Sequence, residues 1–234
     1  MSWLGLPAPL WQAFLLSVEL ATLTAGLLWL LGLPLAHWLN QTRFIGRPLL
    51  EALVALPIVL PPTVIGFYLL VAFAPQAPLG HLWLGLFDYT LAFSFPGLVI
   101  GSLIYSLPFA VQPYQAALRS IPRELIEASA ALGAGSWRTL WYVRLPWARA
   151  GIFAGTALAF AHTLGEFGVV LMLGGNLEGH TRVASIALYD LTQALEYDTA
   201  HRYALVLLGM SLVLLLLIAA LQKRMTAGTP HHGQ

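Results

Sequence analysis

The sequence predicts an all-α fold, a polytopic bundle of about five membrane-spanning helices in a single domain over residues 1–234. Three observations carry that expectation. Of the 234 residues, 59% are hydrophobic and only 9% are charged, too few charges to cover a soluble domain of this size. Uncharged stretches of about 20 residues recur, and each is long enough to cross the hydrocarbon layer as a helix. Those stretches are continuously apolar, without the alternation of barrel strands, and in lipid their backbone polar groups must be satisfied within each segment.

The first span runs from about Phe14 to Trp38 and holds one internal charge, Glu19. Ahead of it, "WLGLPAPLW" reads as an interfacial piece with Trp3 and Trp11 at headgroup depth. The second span follows Glu51 through "LPIVLPPTVIGFYLL", one helix in which Pro57, Pro61 and Pro62 each remove a backbone hydrogen bond and favour a kink. Kinks are tolerated in lipid where a neighbouring helix or a water-lined cavity takes up the freed carbonyls. The three prolines therefore read equally as a structural bend and as pathway lining. The third span covers about Phe93 to Ala117, the fourth about Ala150 to Leu173 and the fifth about Tyr203 to Leu221. Residues 75–90 and 174–201 become loops. In the second loop Ile186, Leu188, Leu191 and Leu195 lie among Asp190, Glu196 and Asp198, a pattern that fits a capping or interfacial helix as well as a plain connector. "TAGTPHHGQ", from about residue 226, reads as a disordered tail. No internal repeat is visible.

Basic residues orient the bundle. Arg43, Arg47, Arg119, Arg123, Arg138, Arg144, Arg149, Lys223 and Arg224 fall on one side, nine of the eleven, against Arg182 and Arg202 on the other. The positive-inside rule then puts the N-terminus outside and the C-terminus in the cytoplasm. No Lys or Arg precedes Arg43, so the basic start of a cleavable signal peptide is not expected. A net charge of +1 with dispersed basic residues argues against nucleic-acid binding. The absence of cysteine excludes disulfides, thiolate metal sites and Cys nucleophiles. His162 and Glu166 are one turn apart, yet the third ligand of a catalytic zinc site is not identifiable, so no metal is expected. His231 and His232 fall in the tail. The alternative from another class is an intramembrane serine protease, with Ser94, Ser102 or Ser106 on one helix facing His162 on another. No Gly-x-Ser-x-Gly setting surrounds those serines, and serine in membrane helices is ordinarily a packing residue, so no catalytic residues are expected.

Residues 119–149 break the apolar pattern. Pro122 sits in the first turn of a short helix whose Leu125, Ala128, Ser129 and Leu132 share a face, with Arg123, Glu124 and Glu127 at its rim. Gly133-Ala134-Gly135 stops it, since glycine accepts the left-handed conformation of a helix end. Ser136 is placed to cap a second helix with Trp137, Leu140 and Trp141 in a stripe, and Pro146 to end it before the fourth span. The product is a cytoplasmic hairpin presenting the small residues Ala128, Ala130, Ala131 and Gly133, a surface suited to a partner's groove.

Glu127, Ala128, Gly133, Leu145 and Pro146, in that order before the penultimate span, resemble the "EAA" loop of ABC importer permeases. Ser129 replaces the usual second alanine of that pattern. The resemblance implies that the loop couples the membrane domain to a cytoplasmic ATPase. "LPIVLPPTVIGFYLL", "YSLPFAVQP" and "AHTLGEFGVVLMLGGNLEGHTRVASIALYD" are similar to the molybdate-type permeases of bacteria, with tungstate and sulfate permeases as close relatives. Together they cover most of the chain from about Arg43 onward. The resemblance implies a type I importer fold in the bacterial cytoplasmic membrane and a homodimer. Its implied partners are an ABC ATPase dimer, which holds the ATP and Mg, and an external oxyanion-binding protein delivering molybdate or tungstate. No cofactor is expected on this chain, since its only lysine, Lys223, is followed by Arg224 and no P-loop can form.

Glu166 stands apart as a carboxylate well inside the fourth span, at a cost of about 3 kcal/mol near the membrane centre. A fixed negative charge facing a dianion in a narrow apolar passage raises the barrier to transport, which argues against a substrate ligand. His162 one turn earlier is a candidate partner, and Gly165 and Gly168 leave room for a neighbouring helix. Glu166 is thus expected to be a packing or gate-latching residue bonded to another helix or protomer.

Overall fold

The computed structural model describes residues 7–42 and 44–227. Trp3, Arg43 and the His231–His232 tail lie outside them. Helix α1 (Ala8–Gln41) begins behind Pro7, whose fixed φ and missing N–H suit a helix start. It therefore takes in Ala8–Trp11, the end of the segment expected as a separate interfacial piece, and Trp11 stacks on Phe14 inside it. At 1.5 Å per residue α1 is about 50 Å long, more than the ~30 Å hydrocarbon layer.

The second predicted span is not one helix. Helices α2 (Arg47–Val59) and α3 (Pro62–Phe73) meet at a bend of 111°. The three prolines do different work. Pro57 lies buried within α2 without interrupting it. The Pro61–Pro62 pair withholds two successive amides, and Leu60 and Pro61, each ahead of a proline, are driven to extended ψ values of 138° and 134°. The chain turns there. Helix α4 (Pro78–Phe87) then occupies the predicted loop at 75–90.

Helix α5 (Phe95–Arg119) is the third span; Ser94 caps it by accepting the Gly97 amide at 3.2 Å. Helix α6 (Arg123–Ala131) follows Pro122, which precedes the helix instead of entering its first turn. Helix α7 (Ser136–Thr139), a π-helical turn (Leu140–Arg144) and helix α8 (Leu145–Leu164) run on as one path. Pro146 consequently does not end the hairpin's second arm. The wider π turn directs the Leu145 amide to the Leu140 carbonyl, five residues back, and Pro146 falls in the first turn of α8, where no amide is needed. Gly135, not Ser136, holds the cap position of α7, with no side-chain cap bond.

The fourth span is also broken. Helix α9 (Gly168–Gly174) is bent 58° from the preceding rod. At the break the Glu166 amide turns back to the Thr163 carbonyl at 3.2 Å. Helix α10 (Ala184–Gln193) packs into the bundle through Ala184, Ile186 and Ala187, whereas Leu195 lies beyond its end and is exposed. Helix α11 (Tyr197–Ala227) is the last span and continues two residues into the segment expected to be tail. Among the described residues three helices are long and apolar enough to cross a membrane, and five crossings result if each bent pair counts as one.

Long helices α1, α5 and α8 form the centre, around the wholly buried Leu28, Val111 and Tyr114. A second core surrounds α9, with Leu98, Val169, Val170, Leu173 and Ile186. The ends of α1 fix the bundle's polarity. Near its start Ser17 Oγ accepts the Ala184 amide at 2.7 Å, and near its finish Asn40 Oδ1 accepts from Arg119 Nε at 2.7 Å. Glu51 joins the second end, taking Arg47 at 3.0 Å and Arg119 at 3.2 Å. At the other end Arg182 pairs with Asp190 at 2.9 Å.

Candidate functional site

The two broken spans meet at their breaks. A Cβ added to Gly168, the first residue of α9, would lie 2.6 Å from Pro62 Cβ, at the first residue of α3. One turn along, a Cβ on Gly66 would lie 2.7 Å from Met172 Cβ. Small residues let the two short helices touch backbone to backbone, as membrane helices do where no hydrophobic driving force separates helix from lipid. Gly168→Ala is therefore expected to overpack the junction by about 1–3 kcal/mol. A lower melting temperature of the purified complex checks this.

Glu166 closes the break from the other side and is 5% exposed. Its Oε2 accepts from Ser102 Oγ of α5 at 2.8 Å, and its main-chain oxygen accepts from Ser185 Oγ of α10 at 2.6 Å. One residue thus ties the α8–α9 break to two neighbouring helices. Oε1 is buried and has no partner among the described residues. His162 is not the partner of Glu166. Its Nδ1 is hydrogen bonded to Ser106 Oγ at 2.9 Å, and its ring stacks on Phe109 at 3.8 Å. Ser102 lies about 25 Å along α5 from Arg119. The cluster is thus displaced from the middle of the span toward the end remote from Arg119.

Gly165 behaves differently from Gly168. Among the described residues only the Ala161 and His162 carbonyls of its own helix come within 4 Å of a Cβ placed there, and it lines a cavity of about 570 Å³ between α1, α8, α10 and α11, together with Phe14, Leu164, Ser185 and Met210. Of the residues expected at a gate or in helix packing, Pro62, Gly168 and Glu166 converge on the junction of the breaks, and Pro61 makes the first of those breaks. Pro57 sits one turn back in α2. Sequence reasoning missed Gly66, Gly101 and Ser185. The Gly97–x–x–x–Gly101 spacing in α5 was the available signal for close packing, since a Cβ on Gly101 would meet the Leu173 side chain.

The hairpin forms with a different buried face from the one expected. Ser129 is buried and Ile126 half-buried, whereas Leu132 is 89% exposed and Leu125 and Ala128 face outward. Ser129 Oγ and Thr139 Oγ1 are hydrogen bonded at 2.9 Å, joining the two arms. The hydroxyl that distinguishes Ser129 from alanine is thus used. Gly133 takes φ +75°, the left-handed turn expected at the helix end, and the space beside it is open. Glu127 is exposed, and Leu145 and Pro146 carry the rod into α8.

Residues 29–227 match the family described as the inner membrane component of binding-protein-dependent transport systems. The chain belongs to that family. This transport component is 49% identical over 189 residues to the molybdenum transport system permease protein ModB of Azotobacter vinelandii, covering 81% of this chain and 84% of that protein. It is 36% identical over 214 residues to the sulfate transport system permease protein CysT of Escherichia coli K12, covering 92% of this chain and 76% of that one. Its fold matches that of a bacterial ABC transporter involved in import of the acidic polysaccharide alginate, with a TM-score of 0.73 at 20% identity, covering 92% of this chain and 80% of that chain. Membership makes it a multi-pass protein of the inner membrane and a transport component, not an enzyme. Within it, the Ser106–His162 contact that a protease would need is a packing bond. Ser106 is also 2.9 Å from Thr163 Oγ1 and wholly buried, leaving no path for a peptide. Among the described residues no group of three or more His, Asp or Glu side chains is arranged to hold a metal.

Proposed function

We propose that the chain is the permease subunit of an ATP-driven importer of molybdate, with tungstate also carried. The observation that carries this reading is the 49% identity to a molybdenum transport permease over most of both chains, against 36% to a sulfate permease. A second copy of the chain completes the path. A cytoplasmic ABC ATPase dimer holds ATP and Mg, and an external oxyanion-binding protein delivers the dianion. The N-terminus faces outward and the C-terminus the cytoplasm, in keeping with the clustering of Arg47, Arg119, Arg138, Arg144 and Arg149 toward one side. The coupling loop around Glu127, Ala128, Ser129 and Gly133 meets the ATPase, and the junction of the breaks at Pro62, Gly168 and Glu166 acts as the hinge.

Selectivity rests on the binding protein. Among the described residues no Lys, Arg or His is buried, and the one buried carboxylate is that of Glu166, of the wrong sign for a dianion. Uptake of labelled molybdate, tungstate and sulfate is measured in the complex reconstituted with its ATPase and binding protein. The expected order places molybdate and tungstate well above sulfate. A preference for sulfate would overturn the substrate and leave the permease reading standing.

A further inference from the structure

The hairpin has a second face, which docking of α6 leaves unused. Trp137, Trp141 and Tyr142 are 73%, 59% and 80% exposed, and with Arg138 they line a surface hollow of about 360 Å³. The rod that carries them continues through the π turn into α8. From Ala148, the first buried residue of α8, Trp141 lies about 10 Å back along the rod and Trp137 about 16 Å. Aromatic side chains with an apolar body and a polar tip, set just beyond the end of a span, belong at the depth of lipid headgroups.

Charge identifies which lipid. Arg138, Arg144 and Arg149 share this rod, and no Asp or Glu occurs between Glu127 and Glu166. None of the three arginines forms an ion pair among the described residues. Of the three, Arg138 lines the hollow itself, and an unpaired guanidinium among exposed aromatic rings suits the phosphate of an anionic phospholipid. We propose that the face formed by Trp137, Arg138, Trp141 and Tyr142 is a binding surface for anionic phospholipid in the cytoplasmic leaflet. The Ser129–Thr139 bond holds α6 to the same rod, so lipid seated on this face sets the height at which α6 meets its partner. The proposal rests on the proposed orientation and is independent of which oxyanion is carried.

The test uses the whole transporter, permease with ATPase, in bilayers of phosphatidylcholine with and without phosphatidylglycerol, either lipid being brominated high on its chains. Tryptophan emission of the unaltered protein is compared with that of Trp137→Phe/Trp141→Phe. The double variant is expected to lose quenchable emission, and the quenching of the unaltered protein to be stronger by brominated phosphatidylglycerol than by brominated phosphatidylcholine. Arg138→Gln should abolish that preference while the ATPase still co-purifies, which separates lipid binding from docking. Emission from Trp137 and Trp141 that neither lipid quenches, or that only added ATPase shields, assigns the face to protein and overturns the proposal. Equal quenching by both lipids removes the anionic selectivity and overturns it as well.

Discussion

Gly133→Leu is expected to strip the ATPase from the purified complex or to uncouple transport, while the permease still inserts and folds. Gly133 adopts φ +75°, and a side chain there costs about 1–2 kcal/mol in the left-handed conformation, too little to unfold a bundle built on α1, α5 and α8. No atom within 4 Å would meet its Cβ, so the leucine finds no clash inside the chain. It projects instead from the surface formed by Ala128, Ala131 and Leu132, where only a partner can meet it. Gly133→Asn, which tolerates the same backbone conformation, should be milder and separates the backbone cost from the obstruction. Glu127→Ala removes an exposed charge with a contribution of about 0–1 kcal/mol and should weaken ATPase binding only slightly. Co-purification of the ATPase, read beside the melting temperature of the permease alone, distinguishes these outcomes. Unchanged ATPase binding and transport in both Gly133→Leu and Glu127→Ala would show that this hairpin is not the docking surface.

The spans were legible in the sequence because apolar length is a property of each segment alone. The breaks were not. Pro57, Pro61 and Pro62 look alike in a hydropathy profile, yet one sits quietly in α2 and the adjacent pair turns the chain through 111°, because two successive missing amides and two pre-proline restrictions act together. Pro146 misled in the opposite direction: a π turn accommodates it, and the hairpin becomes an extension of a span. The break at Gly165, Glu166 and Phe167 contains no proline. Its cause is tertiary, with Ser102 and Ser185 drawing Glu166 toward two other helices and Pro62 seating Gly168. Glycine and glutamate signalled that the position was unusual. Their neighbours, which decide the bend, lie 64 and 19 residues away in sequence.

Glu166 is expected to tolerate the loss of its charge and not the loss of its hydrogen bond. Among the described residues no cation pairs with the carboxylate, so Glu166→Gln breaks no ion pair, and the amide oxygen can still accept from Ser102 Oγ. Much of the transport activity should survive. Glu166→Leu or Glu166→Ala leaves the buried Ser102 hydroxyl without its acceptor, at a cost of about 1–3 kcal/mol, and Glu166→Ala opens a cavity as well. The main-chain bond from Ser185 remains in every variant, so the break itself persists while its tie to α5 is lost. The result should be a complex that melts earlier or a junction that no longer closes, read as substrate leak through proteoliposomes without ATP. Ser102→Ala in the Glu166→Leu background should add little further loss, because both substitutions cut the same bond. A Gln variant that assembled normally and transported nothing would mean that the charge itself serves the path. Glu166 would then belong to the translocation chemistry and not to the hinge.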